Sequence, residues 1–287
     1  MFDIPQPFRA QQFKLYRQGI SDDSSIDVYI NEQEDFAFLH PPPKMNYQNY
    51  TPRVAKFGLQ EYKKNLDLLE RRFNKISQAI EDGRHSLLEV GAGDGLFLKT
   101  VRSYLPALHL TAMDKDQNTL QSRKQNSDEN YNSLEEIIEK NKHYDFICLF
   151  HVLEHIEKPL EFLTTIKKAM SGQGTLIIEV PSLLDPMLSL YNCEAYSSFY
   201  FSSQHPYVYS PDSLQHLMEQ CDFQTKEVIT FQRYGLENHL NWLSQGRPGG
   251  NEVYRQLFRN LESDYIADLE QCGKTDTVIW LGQRTEK

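Results

Sequence analysis

The chain has 287 residues, of which 39% are hydrophobic and 24% charged, and this composition is typical of a globular protein with one main domain. Its formal net charge of −10 argues against broad contact with nucleic acid, because such binding depends on basic side chains. The sequence contains no apolar run of roughly 18 residues and no signal-peptide pattern at its start, so a cytoplasmic protein without a membrane span is expected.

Residues 1–56 carry no clear periodicity and include a run of three prolines, so we expect an N-terminal arm or cap. From residue 57, apolar side chains recur at steps of three and four, which predicts one amphipathic helix as far as Ile80. Short apolar runs then alternate with helical patterns. The predicted strands cover residues 86–90, 108–113, 144–150, 175–180, 225–231 and 276–283.

Strands that alternate with helices of this length predict an α/β fold, with a mostly parallel sheet and helices on both of its faces. The core of this domain is predicted to span residues 57–235 and to contain a lid segment at residues 181–210. A helical insertion is expected at residues 236–273, and the last strand of the core at residues 274–287.

A glycine-rich turn follows the first predicted strand of the core, in the run Glu89-Val90-Gly91-Ala92-Gly93-Asp94-Gly95. Glycines at alternate positions let the backbone turn tightly and approach a ligand, although such turns also serve simple chain reversal. The next strand ends at Asp114, 19 residues after Gly95. A carboxylate there can accept two hydrogen bonds from a ribose diol, and an ordinary surface aspartate is the alternative.

These residues carry a resemblance to a known family. The run from Glu89 to Gly95 resembles the E-x-G-x-G-x-G motif of class I S-adenosylmethionine-dependent methyltransferases, and Asp114 matches their ribose-binding acid. Residues 145–159 and 172–181 resemble the fourth-strand and fifth-strand signatures of the branch that modifies small molecules and glycans. The resemblance covers about residues 85–230. It implies a Rossmann-like sheet of seven strands with the last strand antiparallel, and S-adenosyl-L-methionine as cofactor with S-adenosyl-L-homocysteine as product.

The resemblance also implies which residues hold the cofactor. Gly91 and Gly93 would contact its amino-acid end, Glu89 would orient its ammonium group, and Asp128 is the candidate for the adenine amine. The full set of predicted cofactor-binding residues is Glu89, Gly91, Gly93, Gly95, Asp114, Asp128 and Phe150.

Two histidines are candidates for the base that takes a proton from the acceptor. The resemblance places His151 near the sulfonium, and a structural loop histidine is the alternative. His205 is the second candidate, because sugar-modifying relatives also carry a histidine in this region. The aromatic lid segment offers Tyr196, Tyr200 and Tyr207 for stacking on an acceptor, although the same rings could pack in the core.

The segment His151-x-x-Glu154-His155 also fits the H-x-x-E-H pattern of inverted zinc proteases. Those proteases carry both histidines on one helix face, whereas this segment follows a strand directly and precedes the helix start at Pro159. We therefore expect no metal site here.

The predicted reaction is methyl transfer to a hydroxyl or amine of a small polar acceptor, such as a sugar, nucleotide-sugar or surface glycan. One alternative is carbon methylation of a deoxysugar, quinone or polyketide, with His205 as base. Another is a partner subunit that binds the cofactor but is catalytically silent. The net charge argues against an RNA acceptor, and the sequence does not predict the oligomeric state.

Overall fold

The structure is a computed structural model that describes residues 4–44, 59–80 and 85–285, without the side chains of residues 59–65. The predicted boundary between residues 56 and 57 lies outside the described residues. Within them, eleven strands form two sheets. The strands are β1 (Phe13–Arg17), β2 (Asp27–Asn31), β3 (Phe36–His40), β4 (Ser86–Val90), β5 (His109–Met113), β6 (Glu129–Tyr131), β7 (Tyr144–Phe150), β8 (Met170–Pro181), β9 (Tyr207–Tyr209), β10 (Phe223–Phe231) and β11 (Thr277–Arg284).

The larger sheet has seven strands in the order β10-β11-β8-β7-β4-β5-β6. Strands β4 to β8 of this sheet run parallel to one another, whereas β11 runs antiparallel to both β8 and β10. This topology confirms the predicted α/β fold. All four central parallel strands end at one edge of the sheet, which is where ligands bind in folds of this kind.

Helices cover both faces of the larger sheet. The helices of the described residues are α1 (Leu59–Ile80), α2 (Leu96–Tyr104), α3 (Leu120–Asn126), α4 (Leu134–Glu139), α5 (Pro159–Lys168), α6 (Pro186–Ser189), α7 (Glu194–Tyr200), α8 (Pro211–Gln220), α9 (Leu236–Gln245), α10 (Glu252–Phe258) and α11 (Glu262–Gln271). Buried side chains of α1 and α2 pack on one face, and those of α4, α5 and α8 pack on the other. None of these helices is both long and apolar enough to cross a bilayer.

The N-terminal segment forms the strands β1–β3, which the sequence did not predict within the expected arm or cap. These strands pair in an antiparallel meander, and β9 from the predicted lid segment adds a fourth strand beside β3. Phe36 of β3 is fully buried and stacks on Phe8, with ring centroids 3.8 Å apart. The pairing of β3 with β9 could not be read from a local pattern, because β9 lies far away along the chain.

Candidate active site

The glycine turn lies at the carboxyl end of β4 and leads into α2. Gly91, Gly93 and Gly95 have positive φ angles of 75°, 55° and 78°. At Gly91 a Cβ atom would lie 2.5 Å from Cγ2 of Val152, so a side chain has no room there. A Cβ on Gly93 would have no neighbour within 4 Å, which shows open space beside this part of the turn. The backbone can therefore approach a ligand closely here.

Glu89 presents a buried carboxylate directly before this turn. Only 5% of the surface of Glu89 is exposed, and its Oε2 atom has no hydrogen-bond partner among the described residues. Burial raises the pKa of Glu89 well above its usual range; the charge of Arg72 opposes this rise, and that of Asp94 adds to it. A buried carboxylate oxygen without a partner is costly, and an ammonium group of a ligand would satisfy it.

Asp114 follows β5 and closes the other side of the turn. Its Oδ2 atom accepts a hydrogen bond of 2.8 Å from the backbone N–H of Gly93, and its Oδ1 atom accepts one of 2.8 Å from the N–H of Asp116. Each carboxylate oxygen has further acceptor capacity for a diol. The structure thus brings Glu89, the glycine turn and Asp114 together at one edge.

Phe150 ends β7 at the same edge of the sheet. Its ring meets Phe97 of α2 edge to face at a centroid distance of 4.6 Å. The guanidinium of Arg72 lies 4.7 Å from the centroid of the Phe150 ring. Phe150 is therefore an apolar wall beside the charged groups of the site, and only 8% of its surface is exposed.

Asp128 lies at the opposite edge, so its assignment to the adenine amine is corrected. Its Oδ2 atom accepts hydrogen bonds from the backbone N–H of Leu110, at 2.8 Å, and from Arg102, at 2.5 Å. Leu110 lies near the amino end of β5, about 10 Å along the strand from Met113. The residue that follows β6 at the carboxyl edge is Asn132.

His151 follows Phe150 directly and lies at the centre of a charged network. Its Nδ1 atom lies 3.1 Å from Oε1 of Glu154. Its Nε2 atom lies 2.9 Å from Oε1 of Glu179 and 2.9 Å from Nη1 of Arg233. Burial and the charge of Arg233 act to lower the pKa of His151, but the hydrogen bonds to the two carboxylates outweigh them and raise it.

Two buried ion pairs support this histidine. Arg72 of α1 donates two hydrogen bonds to Glu179 of β8, at 2.5 and 2.8 Å. Burial alone would raise the pKa of Glu179, but Arg72 and His151 hold it far below its usual range. Arg233 pairs with the buried Asp276, which also accepts a hydrogen bond of 3.0 Å from the backbone N–H of Arg233.

The sequence-based assignment of site residues missed all four of these supporting groups. For Glu179 a signal existed, because it is an ionisable side chain inside a strand that is otherwise apolar. Arg72, Arg233 and Asp276 carry no comparable local signal, since their positions depend on contacts between distant elements.

Tyr196 and Tyr200 lie on α7, and their hydroxyl groups are held by the protein. Tyr196 donates a hydrogen bond of 2.6 Å to Oδ2 of Asp185, and Tyr200 donates one of 2.9 Å to the carbonyl of Ser182. Burial and the nearby charge of Asp276 raise the pKa of Asp185 to about 7. These tyrosines therefore surround a buried acid close to the network of His151.

Tyr207 packs inside the protein, which corrects its assignment as an acceptor-stacking ring. It belongs to β9, its surface is 8% exposed, and its ring stacks on Phe36 at a centroid distance of 6.0 Å. Its hydroxyl donates to the carbonyl of Glu157 at 3.1 Å. Pairing of β9 with β3 turns this ring toward the core rather than toward the site.

His205 lies beside Glu154 and His155, and the three define a Glu-His-His cluster. One carboxylate oxygen of Glu154 and one ring nitrogen of each histidine lie within 4.8 Å of one another. The rings of His155 and His205 have centroids 4.8 Å apart. Glu154 also contacts His151, so both predicted catalytic histidines share this carboxylate as a neighbour.

Comparison with known proteins decides the family. The family described as "Methyltransferase domain" matches residues 58–228, which is more than half of the chain. The chain belongs to this family. Among curated proteins, this chain is 29% identical over 116 residues to a ubiquinone biosynthesis O-methyltransferase of Rickettsia conorii. That match covers 38% of this chain and only 39% of the relative's length.

Solved structures show the same fold. The methyltransferase is 18% identical to a SAM-dependent methyltransferase from Archaeoglobus fulgidus, with a TM-score of 0.52 over 79% of this chain and 98% of that one. It is 16% identical to the plantazolicin methyltransferase BpumL in complex with SAH, with a TM-score of 0.50 over 79% of this chain and 86% of that one. At these identities the likeness concerns the fold alone.

Proposed function

We propose that this methyltransferase transfers a methyl group from S-adenosyl-L-methionine to a hydroxyl group of a small polar acceptor, of the class of sugars, nucleotide-sugars or glycans. One observation carries the proposal: the glycine turn, Asp114 and the unpartnered Glu89 carboxylate lie at the same sheet edge as His151. The partial match to an enzyme named as an O-methyltransferase supports an oxygen acceptor.

The residues at the glycine turn fit the amino-acid and ribose ends of this cofactor. The unpartnered Oε2 atom of Glu89 would accept a hydrogen bond from the ammonium group, and the open space beside Gly93 allows close approach to the backbone. Asp114 would hold the ribose diol through its remaining acceptor capacity. When bound, the cofactor supplies a sulfonium methyl group that is already a good electrophile.

His151 is proposed to take the proton of the acceptor hydroxyl. In its neutral form, Nδ1–H donates to Glu154, which fixes the ring, and the Nε2 lone pair accepts a hydrogen bond from Arg233 that the acceptor hydroxyl would replace. After Nε2 accepts the proton, both ring nitrogens donate, one to Glu154 and the other to Glu179. The two carboxylates thus stabilise the charge that develops on the ring during transfer.

The charged surroundings of His151 support a polar acceptor rather than a hydrophobic one. Arg233 lies directly against the ring, and Asp185 is near enough to Arg233 and Asp276 for their charges to affect its pKa. Groups of this kind discriminate against an acceptor that leaves them without hydrogen bonds. An amine acceptor would need less help from His151, because a neutral amine already carries a free lone pair.

Methyl transfer can be tested directly with purified protein and cofactor labelled on the methyl group. We expect label on one or more members of a panel of sugars, nucleotide-sugars and glycan fractions, with mass spectrometry placing the methyl on oxygen. The His151→Gln variant is the matched control and should transfer far less label. Cofactor binding without transfer to the panel or to cell-extract fractions would instead favour a silent partner subunit, and label on carbon would favour C-methylation.

A further inference from the structure

The Glu-His-His cluster of Glu154, His155 and His205 joins two parts of the chain. Glu154 and His155 belong to a short 3-10 helix, Leu153–His155, that follows β7. His205 belongs to the segment between α7 and β9. The three ligand-type atoms lie within 4.8 Å of one another, which is a spacing that one cation could bridge with small side-chain movements.

The carboxylate of Glu154 provides an independent sign that something binds here. Glu154 is 2% exposed, and its Oε1 atom contacts His151. Its Oε2 atom is buried and has no hydrogen-bond partner among the described residues. Leaving such an oxygen unsatisfied costs about 1–3 kcal/mol or more for a charged group, so a native protein normally supplies a partner.

The partners around the cluster have the arrangement expected of residues that support metal ligands. Nδ1 of His155 lies 2.7 Å from the carbonyl oxygen of Gln204 and so donates its hydrogen there. A neutral ring that donates from Nδ1 carries its lone pair on Nε2, the form in which histidine binds a metal. His151 in turn orients Glu154 through Oε1.

From these contacts we propose that Glu154, His155 and His205 bind a divalent transition-metal cation of the zinc type. Two imidazoles and one carboxylate are a ligand set that suits Zn²⁺ rather than Mg²⁺ or Ca²⁺, which prefer oxygen ligands. The site differs from the H-x-x-E-H pattern considered in the sequence, because His205 replaces His151. His151 is occupied by Glu154, Glu179 and Arg233.

A cation in this position would fasten the lid segment to the end of β7. His205 and Gln204 lie on the lid segment, whereas Glu154 and His155 lie just after His151, in the segment that follows β7. The metal would therefore stabilise the chain arrangement around the site and would also bind to the carboxylate that orients His151. This role is independent of which acceptor the enzyme uses.

Zinc binding can be measured on tag-free protein that has been treated with a chelator and then dialysed. Titration with ZnCl₂ alone, followed by calorimetry, should show one site per chain. His205→Ala and His155→Ala should each weaken binding at least about tenfold. The matched control is the exposed His143, and His143→Ala should bind like the wild type. Circular dichroism of each variant would establish that it is folded.

Cobalt substitution gives a readout that needs no variant. Co²⁺ added to the wild-type protein should produce visible absorption bands of a nitrogen- and oxygen-ligated site, and equimolar Zn²⁺ should remove them. Zn²⁺ should also raise the melting temperature of the wild type more than that of His205→Gln. Failure of the wild type to bind Zn²⁺ in a one-to-one ratio, or unchanged binding by folded His205→Ala, would overturn the proposal.

Discussion

At the scale of single residues, the site combines an unsatisfied acceptor with a stabilised cation. Glu89 is buried with one oxygen unpartnered, whereas His151 is held between two carboxylates. The first arrangement costs stability unless a ligand supplies a donor. The second favours the protonated ring. Both features therefore fit a place where a ligand binds and a proton moves.

Removal of the Asp114 carboxylate should weaken binding of S-adenosylhomocysteine. We expect Asp114→Ala to cost about 1–3 kcal/mol, because the ribose diol loses a charged acceptor. Gly93→Leu should weaken binding further, since its side chain would enter the open space beside the turn at a φ of 55°. Isothermal calorimetry measures both effects. Asp128→Ala is the control and should leave the affinity unchanged; wild-type affinity in both test variants would contradict the proposed cofactor site.

The two histidines should differ in their contribution to the chemical step. His151→Gln is expected to lower the single-turnover rate about 10²–10⁴-fold for a hydroxyl acceptor, with little change in cofactor affinity. His205→Gln should lower it less, because His205 lies in the cluster with His155 rather than between the two carboxylates. A loss of about tenfold or smaller for His151→Gln would indicate an amine acceptor. If His151→Gln keeps a near-normal rate and His205→Gln is inactive, His205 is the base.

Asp185 should make the protein less stable as the pH rises. Its pKa of about 7 in the folded state lies above the ordinary value of 3.8, because of burial and the charge of Asp276, against the opposing effects of Tyr196 and Arg233. The folded state thus holds this proton more tightly than the unfolded chain. The contribution of Asp185 to the unfolding free energy is fully present below about pH 4 and is lost as the pH approaches 7. It amounts to about 1.4 kcal/mol for each unit by which the pKa differs between the folded and unfolded states.

The measurement for this group is urea unfolding at several pH values between about 4 and 7. Asp185→Asn should flatten the fall of the unfolding free energy with pH relative to the wild type. The exposed Asp268 provides the control, and Asp268→Asn should keep the wild-type slope. An equal slope in the wild type and Asp185→Asn would argue against the raised pKa.

At the scale of secondary-structure elements, buried ion pairs connect helices and loops to the sheet at the active edge. Arg72 joins α1 to Glu179 of β8, and Arg233, just beyond β10, joins Asp276, just before β11. A buried pair of this kind is costly to break, because the remaining charge has no solvent to stabilise it. The same pairs therefore set the distance between these elements and hold Glu179 against His151.

Neutralising one partner of the α1–β8 pair should destabilise the fold. Glu179→Gln leaves Arg72, which is 6% exposed, without its ion partner, and we expect a loss of about 3–5 kcal/mol in the unfolding free energy. Urea denaturation gives this value. The exposed pair of Lys158 and Glu161 is the control, and Glu161→Gln should change stability little. If the two substitutions lower the unfolding free energy equally, burial of the Arg72 pair contributes nothing to stability.

At the scale of the whole molecule, the two sheets share one hydrophobic core. Phe36 of β3 and Tyr209 of β9 belong to the same buried cluster as Leu88 of the larger sheet and Leu214 of α8. The N-terminal sheet thus completes one side of the domain instead of forming a separate unit. Because β9 comes from the lid segment, the same sheet also fixes the chain that follows His205.

A shared core predicts that the described sheets unfold together. Phe36→Ala should lower the unfolding free energy by about 3–5 kcal/mol, because it removes a fully buried ring stacked on Phe8. Leu15→Ala, at a side chain that is 46% exposed on β1, should have a much smaller effect. Fluorescence and circular dichroism should follow one common transition. Two separate transitions in the wild type would show that the N-terminal sheet is an independent unit.

The sequence by itself determined the local features of this protein. Hydrophobic periodicity was sufficient to predict α1 and the principal strands of the larger sheet, because this pattern extends over only a few neighbouring residues. The glycine turn and the acid at the end of β5 could be recognised for the same reason, since turn chemistry and strand ends are properties of short segments.

Only the tertiary structure decided which distant side chains meet. It placed Asp128 at the wrong edge for a cofactor, turned Tyr207 into the core, and paired β9 with β3. It also joined Arg72 to Glu179 across 107 residues and brought His205 to Glu154. These outcomes depend on strand register and on long-range packing. A register shift of one residue moves every side chain of a strand to the opposite face of the sheet. No local pattern in the sequence carries that information.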